Sequence, residues 1–232
     1  MSESQTSAVV LLSGGVDSTV LLRHVIQQPA YSRVHALSFD YAQRHAKELD
    51  CARWQARAAG AASHRVVDLA FLGELLQAGT SLVAGGADVP DLADLSAQQL
   101  GQPPTYVPNR NMMLLAMAAA FAEANGLYDV FYGAQAQDEY GYWDCTTEFV
   151  ARLNHTLALN RARPVTVHAP FADMSKAETV ALGVELGVDF ARTWSCYRGG
   201  AKACGTCPTC VERINAFKVA GVADPIPYAS AP

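Results

Sequence analysis

The stretch that most constrains this chain is AVVLLSGGVDSTVLL at 8–22: an apolar run, then Ser-Gly-Gly-Val-Asp-Ser-Thr, then apolar residues again. Five consecutive apolar residues suit a strand buried on both faces, and the run from Ser18 suits a helix. The chain must then turn within Ser13, Gly14 and Gly15. Glycines there permit positive φ and let backbone N–H groups approach an anion with no Cβ in the way. The first turn of a helix adds further donors and partial positive charge, which together make a phosphate cradle. The Walker lysine is absent, so any cation serving that cradle must come from elsewhere. A plainer account, a serine–glycine turn capped by Asp17, suits Ser-Gly-Gly taken alone.

A strand running straight into a helix also dictates architecture. Further β-rich runs at 34–39, 65–69, 129–132 and 165–168 alternate with helical patterns at 18–27, 42–59, 112–125, 148–160 and 176–187. This alternation predicts an α/β fold, an open doubly wound parallel sheet of about five strands with helices on both faces. Ligands of such sheets sit beyond the carboxyl ends of the strands. The 232 residues suit one main domain, expected over 1–192, and a cysteine-rich appendage over 193–232 that ends in a helix at 209–220. Residues 79–105 are rich in Gly, Ala, Asp and Pro and are expected to form a lid or insertion. The longest apolar stretch, 112–122, is far below the roughly 18 residues that cross a bilayer, so a buried helix is expected and no membrane partner. The first residues contain an early Glu and a short apolar run, unlike a signal peptide, so the cytoplasm is the expected location. Net charge is −5 with no basic run, which disfavours nucleic acid as a partner.

The full string SGGVDST, following a first apolar strand, resembles the pyrophosphate-loop signature of the ATP-pyrophosphatase superfamily, whose fold is adenine nucleotide alpha hydrolase-like and Rossmann-like. The resemblance implies ATP cleavage between the α and β phosphates, with adenylation of a substrate oxygen. It assigns ATP binding to Leu12, Ser13, Gly14, Gly15, Val16, Asp17, Ser18, Thr19, Val20, Leu21 and Leu22, with Asp17 organising Mg2+ and phosphate. Lys176, in APFADMSKAET after the fifth strand, matches the superfamily's second motif and is the expected cation at the α-phosphate. Ser175 and Glu178 also fit a capping box, which is compatible with that role.

Of six cysteines, four lie at Cys196-x7-Cys204-x2-Cys207-x2-Cys210. Two-residue gaps with an interposed Gly/Pro turn suit four thiolates around one metal, expected to be a structural Zn2+. Iron–sulfur ligation uses similar gaps and stays open at this point, as does a redox pair at Cys204 and Cys207. Cys51, on a helix, is expected to be packing.

Further blocks occur in order: FDYAQRH (39–45), VPNRN (107–111), GAQAQDEYGYWDCTTEF (133–149), TWSCY (193–197), CGTCPTCVERINAF (204–217) and DPIPY (224–228). With the loop at 13–19, they resemble the QueC family of 7-cyano-7-deazaguanine synthases over nearly the whole chain. The resemblance implies that 7-carboxy-7-deazaguanine, ammonia and ATP are the substrates. It implies two activations, of the carboxylate and then of the amide, in queuosine or related deazapurine biosynthesis, and a homodimer. Asp17, Lys176 and Arg110 are the expected catalytic residues. Asn109, Arg110 and Asn111 offer a cation and amides to an anionic purine-like substrate, and Asp138 or Asp144 a carboxylate to its guanine-like edge. Tyr41, Tyr140, Tyr142 and Trp143 offer stacking faces. The plainer alternatives are a turn and helix cap at 109–111, and core packing for the aromatics.

The chain departs from the family's usual residues at Ala42 (usually Gly), Gln135 (His), Glu139-Tyr140 (Tyr-Ser) and Trp143 (Pro). A paralogue that passes the adenylated acid to another amine is therefore an alternative. A tRNA-thiolating enzyme using Cys51 or Cys145 fits the acidic charge poorly. A non-enzymatic zinc module leaves SGGVDST and Lys176 without a purpose.

Overall fold

Apolar residues on both faces of successive strands require cover on both sides, and that requirement shapes the whole molecule. The computed structural model describes residues 6–44, 47–136 and 142–230. Its strands are β1 (Thr6–Leu11), β2 (Tyr31–Asp40), β3 (Ser63–Asp68), β4 (Asp129–Phe131) and β5 (Thr166–His168). All pair in parallel, in the order β3-β2-β1-β4-β5. The helices are α1 (Val16–Ile26), α2 (Lys47–Ala59), α3 (Ala70–Leu76), α4 (Ala97–Gly101), α5 (Arg110–Ala124), α6 (Thr147–Leu157), α7 (Lys176–Glu185) and α8 (Pro208–Val219). The parallel sheet of five strands expected from the sequence is present.

Side chains alternate across β1. Ala8 and Val10 pack with α1, α2, α7 and α8, through residues such as Leu22, Ala52, Val180 and Phe217. Val9 faces the opposite way, onto Leu72 of α3, Leu115, Ala118 and Ala122 of α5, and Phe149 of α6. Only one face of the apolar run at 112–122 meets the core: Leu115, Ala118, Ala119 and Ala122 are buried, whereas Met112, Ala116 and Ala120 are exposed. Among the described residues, no helix is long and apolar enough to cross a membrane.

One feature differs from the expected elements. A helix from residue 42 does not form, because Ala42 adopts φ 59 and Gln43 bridges to Val83. Left-handed backbone cannot continue a right-handed helix, and it costs a residue with a Cβ roughly 1–2 kcal/mol. The Asp40 carboxylate accepts the Ala42 N–H at 3.2 Å and helps hold the turn. The segment 79–105 contains α4, and its first half is tied to the rest of the protein. Arg44 donates to the carbonyls of Val83, Gly86 and Ala87, and Arg198 donates to the carbonyl of Val89 and pairs with Asp91.

The C-terminal region is fastened to the main core. Helix α8 packs on α7 and buries Ala216 and Phe217 among the residues of α1. Arg213, 1% exposed, pairs with Asp224 and also donates to Thr193 Oγ1 and the Phe190 carbonyl.

Candidate active site

Strand order reverses at β1: the chain moves to β2 on one side and later to β4 on the other. The carboxyl ends of β1 and β4 therefore part, and a crevice opens where ligands of such folds bind. A cavity of about 260 Å³ fills it, walled by the 13–18 loop, Tyr41, Glu48, Arg110, Asn111, Tyr142, Lys176, Trp194 and Glu212 among others.

The loop has the backbone the glycines were expected to permit. Gly14 sits at φ 89, and a Cβ there would lie 2.1 Å from the Glu48 carbonyl oxygen. Gly15 is the N-cap of α1 and no side chain caps that end, so the first-turn N–H groups face the crevice. The hydroxyls of Ser13 and Ser18 organise the loop: Ser13 N–H donates to Ser18 Oγ at 3.1 Å, and Gly15 N–H to Ser13 Oγ at 3.2 Å. From below, Gly133 lets the chain after β4 press on the start of α1; a Cβ on it would lie 3.3 Å from the Ser18 nitrogen. Leu12, Ser13, Gly15, Val16, Asp17 and Ser18 line the cavity. Thr19, Val20, Leu21 and Leu22 are buried behind them and carry the helix. The donor set of bare N–H groups, hydroxyls and one carboxylate fits a polyphosphate and a hard cation.

Asp17 and Lys176 lie far apart in sequence and meet here, with Nζ 3.2 Å from Oδ2. Lys176 is the first residue of α7, and the capping box is present: Ser175 Oγ accepts the Glu178 N–H while the Glu178 carboxylate accepts from Ser175. Those bonds from Ser175 hold the Glu178 carboxyl below its ordinary pKa. Lys176 also approaches Glu212 of α8 at 3.7 Å. Gln135, 1% exposed, donates to the other oxygen of Asp17 at 2.8 Å.

The residues expected to hold the second substrate are divided. Arg110 and Asn111 line the cavity, whereas Asn109 does not. Asn109 is exposed at φ 55 and starts α5, a conformation Asn tolerates well. Arg110 donates to Tyr41 Oη at 3.5 Å. Burial alone would lower its pKa, but Tyr41, Tyr197 and Cys145 outweigh that and push it up, so Arg110 is a permanent cation in the crevice. Asp144 is 2% exposed and accepts the Asn111 backbone N–H at 3.0 Å, capping α5 from outside the cavity lining. Burial raises its pKa. Asp138, Glu139 and Tyr140 lie outside the described residues. Of the aromatics, Tyr41 and Tyr142 line the cavity; Trp143 is 47% exposed and donates to Tyr106 Oη at 2.7 Å. None of the departures Ala42, Gln135 and Trp143 lines the cavity.

Several wall residues were not singled out in sequence. Glu48 and Glu212 bring carboxylates from α2 and α8; no local signal marks Glu48, and Glu212 lies within the CGTCPTCVERINAF block without a pattern of its own. Trp194, within the TWSCY block, donates its backbone N–H to the Gly14 carbonyl at 3.0 Å, and Lys47 Nζ stands 3.6 Å over its ring. The C-terminal region thereby grips the 13–18 loop. Cys145 lines the cavity and accepts from Asn111 Nδ2 at 3.1 Å. Cys51 packs beside the cysteine cluster.

Cys196, Cys204, Cys207 and Cys210 converge, with all four sulfurs within 4.8 Å of one another. Cys204 and Cys210 are 3.8 Å apart, and tetrahedral bonds of about 2.3 Å to one zinc-like ion put sulfurs about 3.8 Å apart. The N–H groups of Cys204 and Cys207 point at sulfurs of Cys196 and Cys204. Packed this closely, the thiols cannot all ionise without a cation. Bonds from Cys207 and Cys210 pull the Cys196 pKa down, and donation to Cys196 pushes Cys207 up to about 12.

A family model described as Queuosine biosynthesis protein QueC matches residues 7–221. A 7-cyano-7-deazaguanine synthase of Caldicellulosiruptor bescii is 45% identical over 223 residues, 95% of this chain and 96% of that one. One of Clostridium kluyveri is 42% identical over 229 residues, covering 95% and 97%. Among solved structures, the U34-tRNA thiolase NcsA from Methanococcus maripaludis with its 4Fe-4S cluster has TM-score 0.52 at 14% identity. It covers 94% of this chain and 66% of that one. The NMN synthetase of Francisella tularensis has TM-score 0.50 at 14% identity, covering 95% and 79%. At such identities the two structures share the fold alone.

Proposed function

We infer the part each residue plays from one premise: this chain belongs to the QueC family, and it makes 7-cyano-7-deazaguanine with ATP. The observation that carries the assignment is the meeting of Asp17 and Lys176 beside bare helix N–H groups, with Arg110 across the same cavity.

In the proposed mechanism the 13–18 loop and the first turn of α1 hold the ATP phosphates through N–H groups and hydroxyls. Asp17 would hold a magnesium ion, which would offset phosphate charge and support departure of pyrophosphate. Arg110 pairs with the carboxylate of 7-carboxy-7-deazaguanine and aims one oxygen at the α-phosphorus. That oxygen attacks, the bond from the α-phosphorus to the bridging oxygen breaks, and pyrophosphate leaves. Lys176 stabilises the charge that develops on the α-phosphate, a role that needs a fixed cation in a site sheltered from water. Ammonia then attacks the carbonyl carbon, AMP leaves, and a proton is lost, giving the amide. A second ATP is cleaved in the same cradle by the amide oxygen. Loss of AMP with that oxygen, and of both amide protons, leaves the nitrile.

The four cysteines are proposed to hold zinc. A 4Fe-4S cluster interposes an iron at each sulfur and so spreads the sulfurs further apart than one ion does; the tight spacing supports a single ion. Elemental analysis finding iron and no zinc would overturn this. The proposed assembly is a homodimer, tested by mass in solution.

The deciding experiment is ATP–pyrophosphate exchange with and without 7-carboxy-7-deazaguanine, then mass analysis of products formed with ammonium. Acid-dependent exchange followed by nitrile is expected. Exchange that stops at another adduct would favour transfer to a different amine, and no acid-dependent exchange would refute the substrate assignment.

A further inference from the structure

We propose that Gln135 is a positioning residue, whose side-chain amide locks the Asp17 carboxylate to the helix that carries Lys176. The proposal rests on Asp17 being a phosphate-side residue of the ATP site, as assigned above.

Gln135 follows β4, and its buried amide must be bonded to be tolerated there. Its Nε2 donates to Asp17 Oδ1 at 2.8 Å and to Thr179 Oγ1 at 2.9 Å. Thr179 spends its own hydroxyl proton on the Ser175 carbonyl at 3.2 Å, so towards Gln135 it can only accept. The direction of every bond is thereby set: one amide N–H goes to the carboxylate of the ATP loop, the other to the first turns of α7. The backbone repeats the tie, since Ala136 N–H donates to the Met174 carbonyl at 3.3 Å.

The consequence lies in the carboxylate's torsion. A terminal carboxylate turns in a broad, nearly two-fold well, so one bond leaves it free to swing. With Oδ1 held by Gln135, Oδ2 is presented to Lys176 and to whatever occupies the cradle. Three segments far apart in sequence are thus set as one unit: the loop after β1, the loop after β4 and α7. The amide of Gln135 does not titrate, so it can donate both bonds at any pH.

Partners that orient a ligating or reacting group typically matter 10–100-fold for affinity or activity. Gln135→Leu removes both donors at similar size and is expected to weaken magnesium–ATP binding, measured by calorimetry, about tenfold, and to lower acid-dependent exchange by 10–100-fold. Gln135→Glu supplies the discriminating readout. Ionised, its carboxylate repels Asp17; protonated, it donates one O–H. Burial and the like charge raise its pKa, so exchange by this variant, relative to the unaltered protein, should recover as pH falls from 8 to 5.5. A merely structural loss would follow the folded fraction of the variant, read from its melting curve at each pH, whereas a loss of orientation lowers exchange in protein that is fully folded. Binding and exchange unchanged in Gln135→Leu, or a pH-independent loss in Gln135→Glu, would overturn the proposal. Should Gln135→Leu fail to fold, the Gln135→Glu profile decides alone. If the unaltered protein binds ATP yet shows no exchange with this acid, the substrate assignment fails. The calorimetric comparison, and the Gln135→Glu affinity across the same pH range, still decide Gln135.

Discussion

Arg213 is the side chain whose loss should cost the fold most, and the structure gives the size of the effect. Its side chain is wholly buried, and that of Asp224 is 9% exposed. The two are joined by paired bonds of 2.8 and 2.9 Å, and Arg213 also donates to Thr193 at 2.8 Å and to the Phe190 carbonyl at 3.2 Å. Arg213→Met fills similar space but leaves the Asp224 carboxylate buried without its cation. Breaking a buried pair this way costs about 3–5 kcal/mol, against a total stability of roughly 5–15 kcal/mol. For a chain of this length each kcal/mol moves Tm by about 2–4 °C, so a fall of about 6–20 °C is expected. Urea titration should show a lower midpoint with the slope retained. The double variant Arg213→Met, Asp224→Leu should recover part of the loss. Recovery stays partial because Tyr228 Oη and the Ile226 N–H lose the acceptor they share. A single variant within 1 kcal/mol of the unaltered protein, or a double variant worse than the sum of both singles, would refute the reasoning.

Gly14→Ala should cost roughly 2–5 kcal/mol and abolish measurable ATP binding, because the new Cβ meets backbone atoms at 2.1 and 2.7 Å at a positive φ; a variant with ordinary melting and ATP affinity would count against the loop geometry. Lys176→Met should cut exchange by about 10²–10³-fold while the protein stays folded, since one preorganised charge donor is lost; calorimetry and exchange at saturating ATP separate binding from chemistry, and an unchanged rate would remove Lys176 from the mechanism. Stripping the metal with a chelator, or Cys207→Ser, should lower Tm and weaken ATP binding together, because Trp194 in the same region holds Gly14; a metal-free protein with unchanged ATP affinity would disprove that link. Burial lowers the pKa of His24, His35 and His64 from 6.5, with Arg33 and Arg53 adding to the latter two. The unfolded chain then binds more protons below about pH 6.5, so their contribution is present above that value and is lost as pH falls through the folded pKa values. Asp144, raised by burial, acts in the opposite sense and reduces the net trend. The urea midpoint should be lower at pH 5.5 than at 7.5, and a flat or inverted trend would contradict this.

The sequence and the structure agree wherever the information is local. β-rich runs mark all five strands, the glycines mark the turn, and the capping box at Ser175 and Glu178 starts α7 at Lys176. Where a residue's environment comes from distant chain, local pattern misleads. The segment 42–46 looks helical in composition, yet contacts with Val83 impose a positive φ on Ala42. Asp144 looks like a free carboxylate for a ligand, yet it is buried against the start of α5. Gln135 stands in a block expected to face the second substrate, yet its amide is turned to Asp17.

What the sequence determined by itself was therefore the menu: a parallel α/β sheet, a lysine-free glycine loop between the first strand and helix, and four clustered thiols. Each follows from spacing within a few residues, because period, φ and ligand bite are short-range properties. Which side chains share the crevice was decided only by the tertiary structure. Parallel strands deliver the chain repeatedly to the same edge, so Asp17, Gln135 and Lys176 meet across more than a hundred residues, and α8 adds Glu212 to that meeting only because Phe217 is buried beside α1.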